Sequence, residues 1–490
     1  MIFTLRDFLA WLALFGLSIA PNLQTAIRKA WEIFFVAGQK SSDKAQYEAA
    51  VRCLNISLTI APSIRDRGAS EATSLNSLAW IQNLRGRHAE AEKLARRALE
   101  LDERRTNPFH AAVSRDLNTL ASIYQDQGKY AAAEPIYRRL ILIKDSGGES
   151  ETLEYAANLN NLAVVYRAQS KFQQAETLYQ RAIGVYERVT GPETSALANT
   201  LNNLANVYFS QGKYVEAEPL YLRSLTIREK LLGAHHPDTA MSLHNLANIR
   251  LNQGNYDQAL SFYQRALIIR EKSFGTDHVL VASTLNGLAN SLRSQGKLIE
   301  AEPVYLRVQE IYAKAASKDK SRDAMVLGNL ARVALGQQKY EEAEALERKA
   351  LKIREEGGPA ETSLVAVCLD TLAEIQFAQG HTSRGESYFL RARALHRKVQ
   401  RTGNSKSVSP VCERADEFFK EGKFHEAANL YRRAWNLYEV AMGPDDPRVA
   451  QTIDKYAAAL KELGQTLIAE GLTAQSQKLR RRDEHSDSPP

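Results

Sequence analysis

Ten alanines stand 42 residues apart without a break: Ala79, Ala121, Ala163, Ala205, Ala247, Ala289, Ala331, Ala373, Ala415 and Ala457. A period of that length, with no insertion or deletion, means that one supersecondary unit is stacked on copies of itself. Such a chain folds as a solenoid. Each unit buries its apolar face against its neighbours, so length alone no longer sets the number of domains. A solenoid more often offers a binding surface than a catalytic centre.

Residues 201–208 show what one unit is. Leu201, Leu204, Ala205 and Tyr208 fall at i, i+3, i+4 and i+7, one stripe along a helix. Gly212 supplies the conformation that ends this helix. Tyr214, Ala217, Tyr221 and Leu225 resume the stripe, so the unit is helix A, a tight turn and helix B. Gly233 then closes helix B, and Pro237 opens the next helix A, where its missing N–H costs nothing.

A second row of small residues recurs in helix B: Ala91, Ala133, Ala175, Ala217, Ala259, Ala301, Ala343, Gly385, Ala427 and Ala469. Facing small rows let the two helices of a hairpin approach closely. A bulky residue in that seam should cost about 1–3 kcal/mol. Tyr137, Tyr179, Tyr221, Tyr263, Tyr305 and Tyr431 keep the same period on the helix-B stripe and read as core rather than as stacking platforms. In two units Ser170 and Gln338 stand where the turn glycine belongs.

The pattern L-x-x-L-A-x-x-Y-x-x-x-G-x-Y-x-x-A-x-x-x-Y resembles the tetratricopeptide repeat. The 42-residue period, longer than the usual 34, resembles the kinesin-light-chain type. Residues 200–208, followed by Gly233-Ala234-His235-His236-Pro237, are similar to that subfamily's consensus. The resemblance covers about residues 65–480. It implies an all-α fold, a right-handed superhelical solenoid of antiparallel helix hairpins with about ten repeats and a degenerate N-terminal cap. It also implies that helix A lines the inner surface.

Around this array the chain divides as follows. Residues 1–22 are an apolar segment, 23–64 a degenerate capping repeat, 65–400 repeats one to eight, 401–480 repeats nine and ten, and 481–490 a polar, disordered tail. Residues 401–410 lack the apolar pattern, and Arg414 replaces the leucine of earlier repeats, so a bend or opening is expected there. Residues 8–20 carry no charge. The run is shorter than the ~20 residues of a membrane span and fits a secretion signal, an uncleaved anchor or an apolar capping helix. Anchoring or export through it is favoured over a cytoplasmic location, and membrane contact is expected through residues 8–20 only.

The net charge of +7, from 64 basic and 57 acidic residues, is small for 490 residues and does not argue for an anionic partner. Three distant cysteines, Cys53, Cys368 and Cys412, make neither a disulfide framework nor a zinc motif. His425-Glu426 begins a zinc-protease motif without its second histidine, and Gly-Lys pairs such as Gly212-Lys213 lack a phosphate-loop frame. No catalytic residue, metal site or cofactor is expected. The basic tip, Lys478 with Arg480-Arg481-Arg482, reads as a solvated helix end.

What remains is the inner face. Beside the helix-A stripe stand Asn160, Asn161, Asn202, Asn203, Asn206, Asn245, Asn248, Asn286, Asn290 and Asn329. An amide both donates and accepts, so stacked repeats form a ladder able to hold a peptide backbone. Arg167, Arg293 and Arg332, with Arg115 and an opposing Glu374, would add specificity for an acidic or carboxylate-ended peptide. Alanine at Asn203, Asn245 and Asn286 is expected to weaken partner capture and leave melting nearly unchanged. The leading reading is a non-enzymatic protein–protein interaction scaffold or adaptor whose concave groove holds a partner segment. The alternative, a single-stranded RNA binder made of helical hairpins, rests on a pI near 9.0.

Overall fold

The apolar stripes produce helices at every repeat. The computed structural model describes residues 21–43, 46–64, 66, 68–107, 110–315, 319–399 and 409–486, and among them there are only helices and turns. The first compact unit ends at Pro192. It holds four hairpins: α1 (Pro21–Asp43) with α2 (Tyr47–Ile60), α3 (Ala69–Leu84) with α4 (His88–Arg105), α5 (Ala111–Asp126) with α6 (Tyr130–Ser146), and α7 (Leu153–Ala168) with α8 (Phe172–Thr190).

The second unit begins at Glu193. It pairs α9 (Ser195–Ser210) with α10 (Tyr214–Leu232), α11 (Pro237–Asn252) with α12 (Tyr256–Phe274), α13 (Val279–Ser294) with α14 (Leu298–Lys314), and α15 (Lys320–Gly336) with α16 (Tyr340–Glu356). It continues with α17 (Thr362–Ala378) and α18 (Thr382–Val399), α19 (Ser409–Lys420) and α20 (Phe424–Met442), and α21 (Pro447–Glu462) and α22 (Thr466–Ser486). The architecture is the expected all-α solenoid of antiparallel hairpins.

The small rows make the seams. Every helix-A alanine of the period is at most 3% exposed. Gly385 replaces alanine in the helix-B row because a Cβ there would come within 2.2 Å of the Phe377 ring. The periodic tyrosines are core, and three of their hydroxyls are anchored alike: Tyr221, Tyr263 and Tyr305 donate to Asn206, Asn248 and Asn290, each at 2.6 Å.

The turn geometry is imposed by the repeat and not by glycine alone. Gly128, Gly254 and Gly464 adopt positive φ, and Ser170 and Gln338 take the same left-handed conformation at φ 60° and 63°. On the outer surface Arg139–Glu103, Arg307–Glu271 and Arg391–Glu355 pair across adjacent repeats at 2.6–2.7 Å, always 36 positions apart. Exposed pairs of this kind contribute at most about 1 kcal/mol each, so they mark register more than they stabilise.

One expectation is corrected. Among the described residues no helix is long and apolar enough to cross a membrane. The first described helix, α1, carries Arg28, Lys29, Glu32 and Lys40, which break any apolar run. The membrane anchoring or export expected through residues 8–20 is thus not supported by any described helix, and residues 1–20 lie outside the described residues, as do 400–408 and 487–490. In the basic tip, Lys478 pairs with Glu386 and Arg480 with Asp454.

Candidate protein-binding face

Helix A sets its asparagines in two rows, and the structure gives each a partner within the protein. In one row the amides tie neighbouring repeats together. Asn245 Nδ2 donates to Asn202 Oδ1 at 2.9 Å, and Asn329 Nδ2 donates to Asn286 Oδ1 at 3.0 Å. In the first unit Asn76 Nδ2 makes the same kind of bond to Thr119 Oγ1 at 3.0 Å. The other row is Asn206, Asn248 and Asn290, which accept the tyrosine hydroxyls. Alanine at Asn245 and Asn286 therefore removes inter-repeat bonds worth about 1 kcal/mol each and is not silent for stability.

Asn160, Asn161 and Arg167 belong to the first unit, where Asn160 Nδ2 donates to Asn161 Oδ1 at 3.2 Å. Arg115 is held by Asp102 and Asp116, each at 3.0 Å. Asn203 is half-buried on α9.

The remaining residues, Asn290, Arg293, Arg332 and Glu374, meet at a place the repeat pattern does not mark. Helix α20 lies across the A–B turns of repeats four to six. Arg433 donates to Tyr214 Oη at 2.7 Å and to the Asn252 carbonyl at 2.9 Å. A Cβ on Gly254 would sit 3.0 Å from Leu430 and 3.1 Å from Phe418, and one on Gly296 would sit 2.8 Å from His425. Arg293 Nη1 donates to Asn429 Oδ1 at 3.1 Å. Tyr256 and Phe418 stack with centroids 6.2 Å apart.

The opposite side of α20 packs on repeat eight. Arg432 Nε lies 3.2 Å from Glu374 Oε1, Trp435 faces Phe389 at 6.0 Å, and buried Arg393 pairs with buried Glu439 at 3.1 Å. Leu369, Phe377, Phe389, Tyr431, Trp435 and Leu472 share one core, so the last two hairpins dock on the array as a block. Burial pushes the Glu374 carboxyl above its ordinary range. Burial, reinforced by neighbouring Arg432, holds the Arg332 guanidinium below its own. A cleft of about 280 Å³ remains between α20 and helices α11, α12, α13 and α15.

Tyr214, Phe418, His425, Asn429, Arg432 and Arg433 have no part in the inner-face asparagine pattern. One signal for them is present in the chain. Arg433 occupies the periodic position of Arg307 and Arg391, whose acidic partners stand 36 residues earlier, but position 397 is an arginine. A consensus cation without its consensus anion must find other partners. Among the described residues no group of His, Cys, Asp and Glu could hold a metal ion.

A family model described as Tetratricopeptide repeat matches residues 43–104, 108–188, 196–272, 241–314 and 280–356. Two further models of the same description match 160–231 and 418–448. Among solved structures, the apo form of the quorum sensor NprR from B. thuringiensis is 15% identical, covers 76% of this chain and 99% of its own, and superposes with a TM-score of 0.57. BtubC (BKLC) from P. vanneervenii is 24% identical over 51% of this chain and 93% of its own, with a TM-score of 0.39. The nearly identical TPR-like repeats of a Podosopora anserina protein described as a kinesin light chain are 23% identical over 42% of this chain and 98% of their own, with a TM-score of 0.38. At such identities the likeness is one of fold. Comparison with curated proteins gives no match.

Proposed function

The chain belongs to the tetratricopeptide repeat family, and from this membership we propose that it is a protein-interaction scaffold whose helix-A face receives an extended or helical segment of a partner. The supporting observation is that the second unit already takes a helix of its own: α20 is held by Arg293 and by the turns of repeats four to six. A partner segment would use the helix-A face around Asn202, Asn203 and Asn245 and would add to the bonds that these amides make within the array. In the first unit Asn160, Asn161 and Arg167 offer the same chemistry. Arginine favours a segment bearing a carboxylate, which it binds through two parallel N–H donors.

Single-stranded RNA would need aromatic platforms beside basic residues. The periodic tyrosines are buried, so they are not available for stacking. The test is photo-crosslinking of a displayed peptide library to the full chain, with the crosslinked residues mapped. Crosslinks on helix A of repeats three to six are expected, and Asn203→Ala should reduce them. Crosslinks confined to the helix-B surface would overturn the reading.

A further inference from the structure

We propose that the cleft beneath α20 binds a compact oxyanion, a phosphate or a small molecule bearing a phosphate or two carboxylates, which fastens the C-terminal hairpins to the repeats. The charge lining the cleft is one-sided. Arg293 from α13, Arg332 from α15, and Arg432 and Arg433 from α20 line it, and its walls include no Asp or Glu. The remaining polar side chains are amides, a serine and the Tyr256 phenol, and Asn290, Asn429 and Asn436 come from both sides of the cleft.

Three of the four guanidinium groups direct their hydrogen bonds to neutral acceptors. Arg433 donates to a phenol and a backbone carbonyl, Arg293 to the Asn429 amide, and Arg332 to Asn329 Oδ1 at 3.3 Å. Arg293 Nε is buried with no acceptor, and so is the Arg250 Nε at the end of α11. Arg432 has an acid within ion-pair distance, Glu374, which lines an adjoining smaller cavity together with Arg293, Arg332 and Arg432. Buried Glu347 is the other carboxyl near Arg332, and burial pushes both it and Glu374 toward the neutral form. Like charges gathered in a partly desolvated space repel one another, and an oxyanion between them removes that repulsion.

The geometry sets the ligand class. Guanidinium groups match carboxylate and phosphate oxygens through parallel N–H donors. With a volume of about 280 Å³ the cleft has room for a small anion with water and not for a polymer. Because the arginines come from α20 and from the repeats, an anion that touches both holds them together. Its binding therefore stabilises the docked arrangement by mass action.

The test uses the full chain in chloride buffer. Inorganic phosphate and succinate are titrated separately by calorimetry, and melting is followed against sodium chloride of equal ionic strength. Saturable binding of phosphate identifies a phosphate-type ligand, and saturable binding of succinate alone identifies a dicarboxylate. In either case melting should rise beyond the salt control, and amide exchange in residues 424–442 should slow. Arg293→Gln and Arg332→Gln should each weaken the anion at least tenfold, while Arg265→Gln on the outer surface should not. Asn436→Asp supplies a carboxylate from within and should abolish the anion's effect while the chain stays folded. Failure of both anions to saturate, or undiminished affinity in the Arg293, Arg332 and Asn436 variants, would overturn the proposal.

Discussion

Arg433 of α20 holds the phenol oxygen of Tyr214 at 2.7 Å, across 219 positions of the chain. The bond joins repeat nine to repeat four, two units that a linear stack would keep apart. Hydrogen bonds from charged donors are worth about 1.5–3 kcal/mol, and Arg433 makes a second one to the Asn252 carbonyl. Arg433→Ala should therefore loosen the C-terminal hairpins selectively. Amide exchange in residues 424–442 should quicken at least tenfold, with residues 111–190 unchanged. Equal exchange in parent and variant would show that this contact does not anchor α20.

Gly254 and Gly380 separate two roles of a turn glycine. Both adopt positive φ, at 78° and 77°. A Cβ at Gly380 meets open space, whereas one at Gly254 meets Leu430 and Phe418. Gly380→Ala should cost only the left-handed penalty, about 1–2 kcal/mol. Gly254→Ala should lose about 1 kcal/mol more from overpacking. It should also expose α20 to limited proteolysis. Denaturant midpoints of the two variants measure the difference, which vanishes if α20 does not dock there.

Ser170 and Gln338 occupy the turn in a conformation that costs an L-residue about 1–2 kcal/mol. Replacing either with glycine should raise stability by about 1 kcal/mol, part of the gain being offset by glycine's freedom in the unfolded chain. Urea unfolding of Ser170→Gly and Gln338→Gly checks this. A loss of stability in both would mean that the side chains contribute more than the backbone strain removes.

His244 makes stability depend on pH. Burial, and then the Arg270 guanidinium 3.5 Å away, hold its imidazole down at about 3. Between about pH 6.5 and 3 the unfolded chain binds a proton there that the native chain refuses. This contribution is complete above the unfolded value and is lost on acidification, with a slope of at most about 1.4 kcal/mol per pH unit. His244→Gln should flatten the decline of the melting temperature below pH 6.5. An unchanged profile would assign the acid limb to other groups.

The repeat was legible because its contacts are local in a periodic sense. Ala247 faces its own hairpin, Tyr263 fills its seam, and Gly212 turns the chain, so each requirement recurs every 42 residues and leaves its mark at that spacing. The asparagines were visible for the same reason. Their partners were not, because a Tyr263 hydroxyl that reaches Asn248 and a water-facing amide place the same residue at the same position.

The sequence by itself thus determined the hairpins, their seams, their turns and the helix-A amides, all of them enforced by contacts within a repeat or between one repeat and the next. Only the tertiary structure decided that α20 folds back across repeats four to six and gathers Arg293, Arg332, Arg432 and Arg433 around one cleft. Contacts such as Arg433 with Tyr214 join single positions far apart in the chain. They occur once and so carry no period, and nothing short of the folded path brings their residues together.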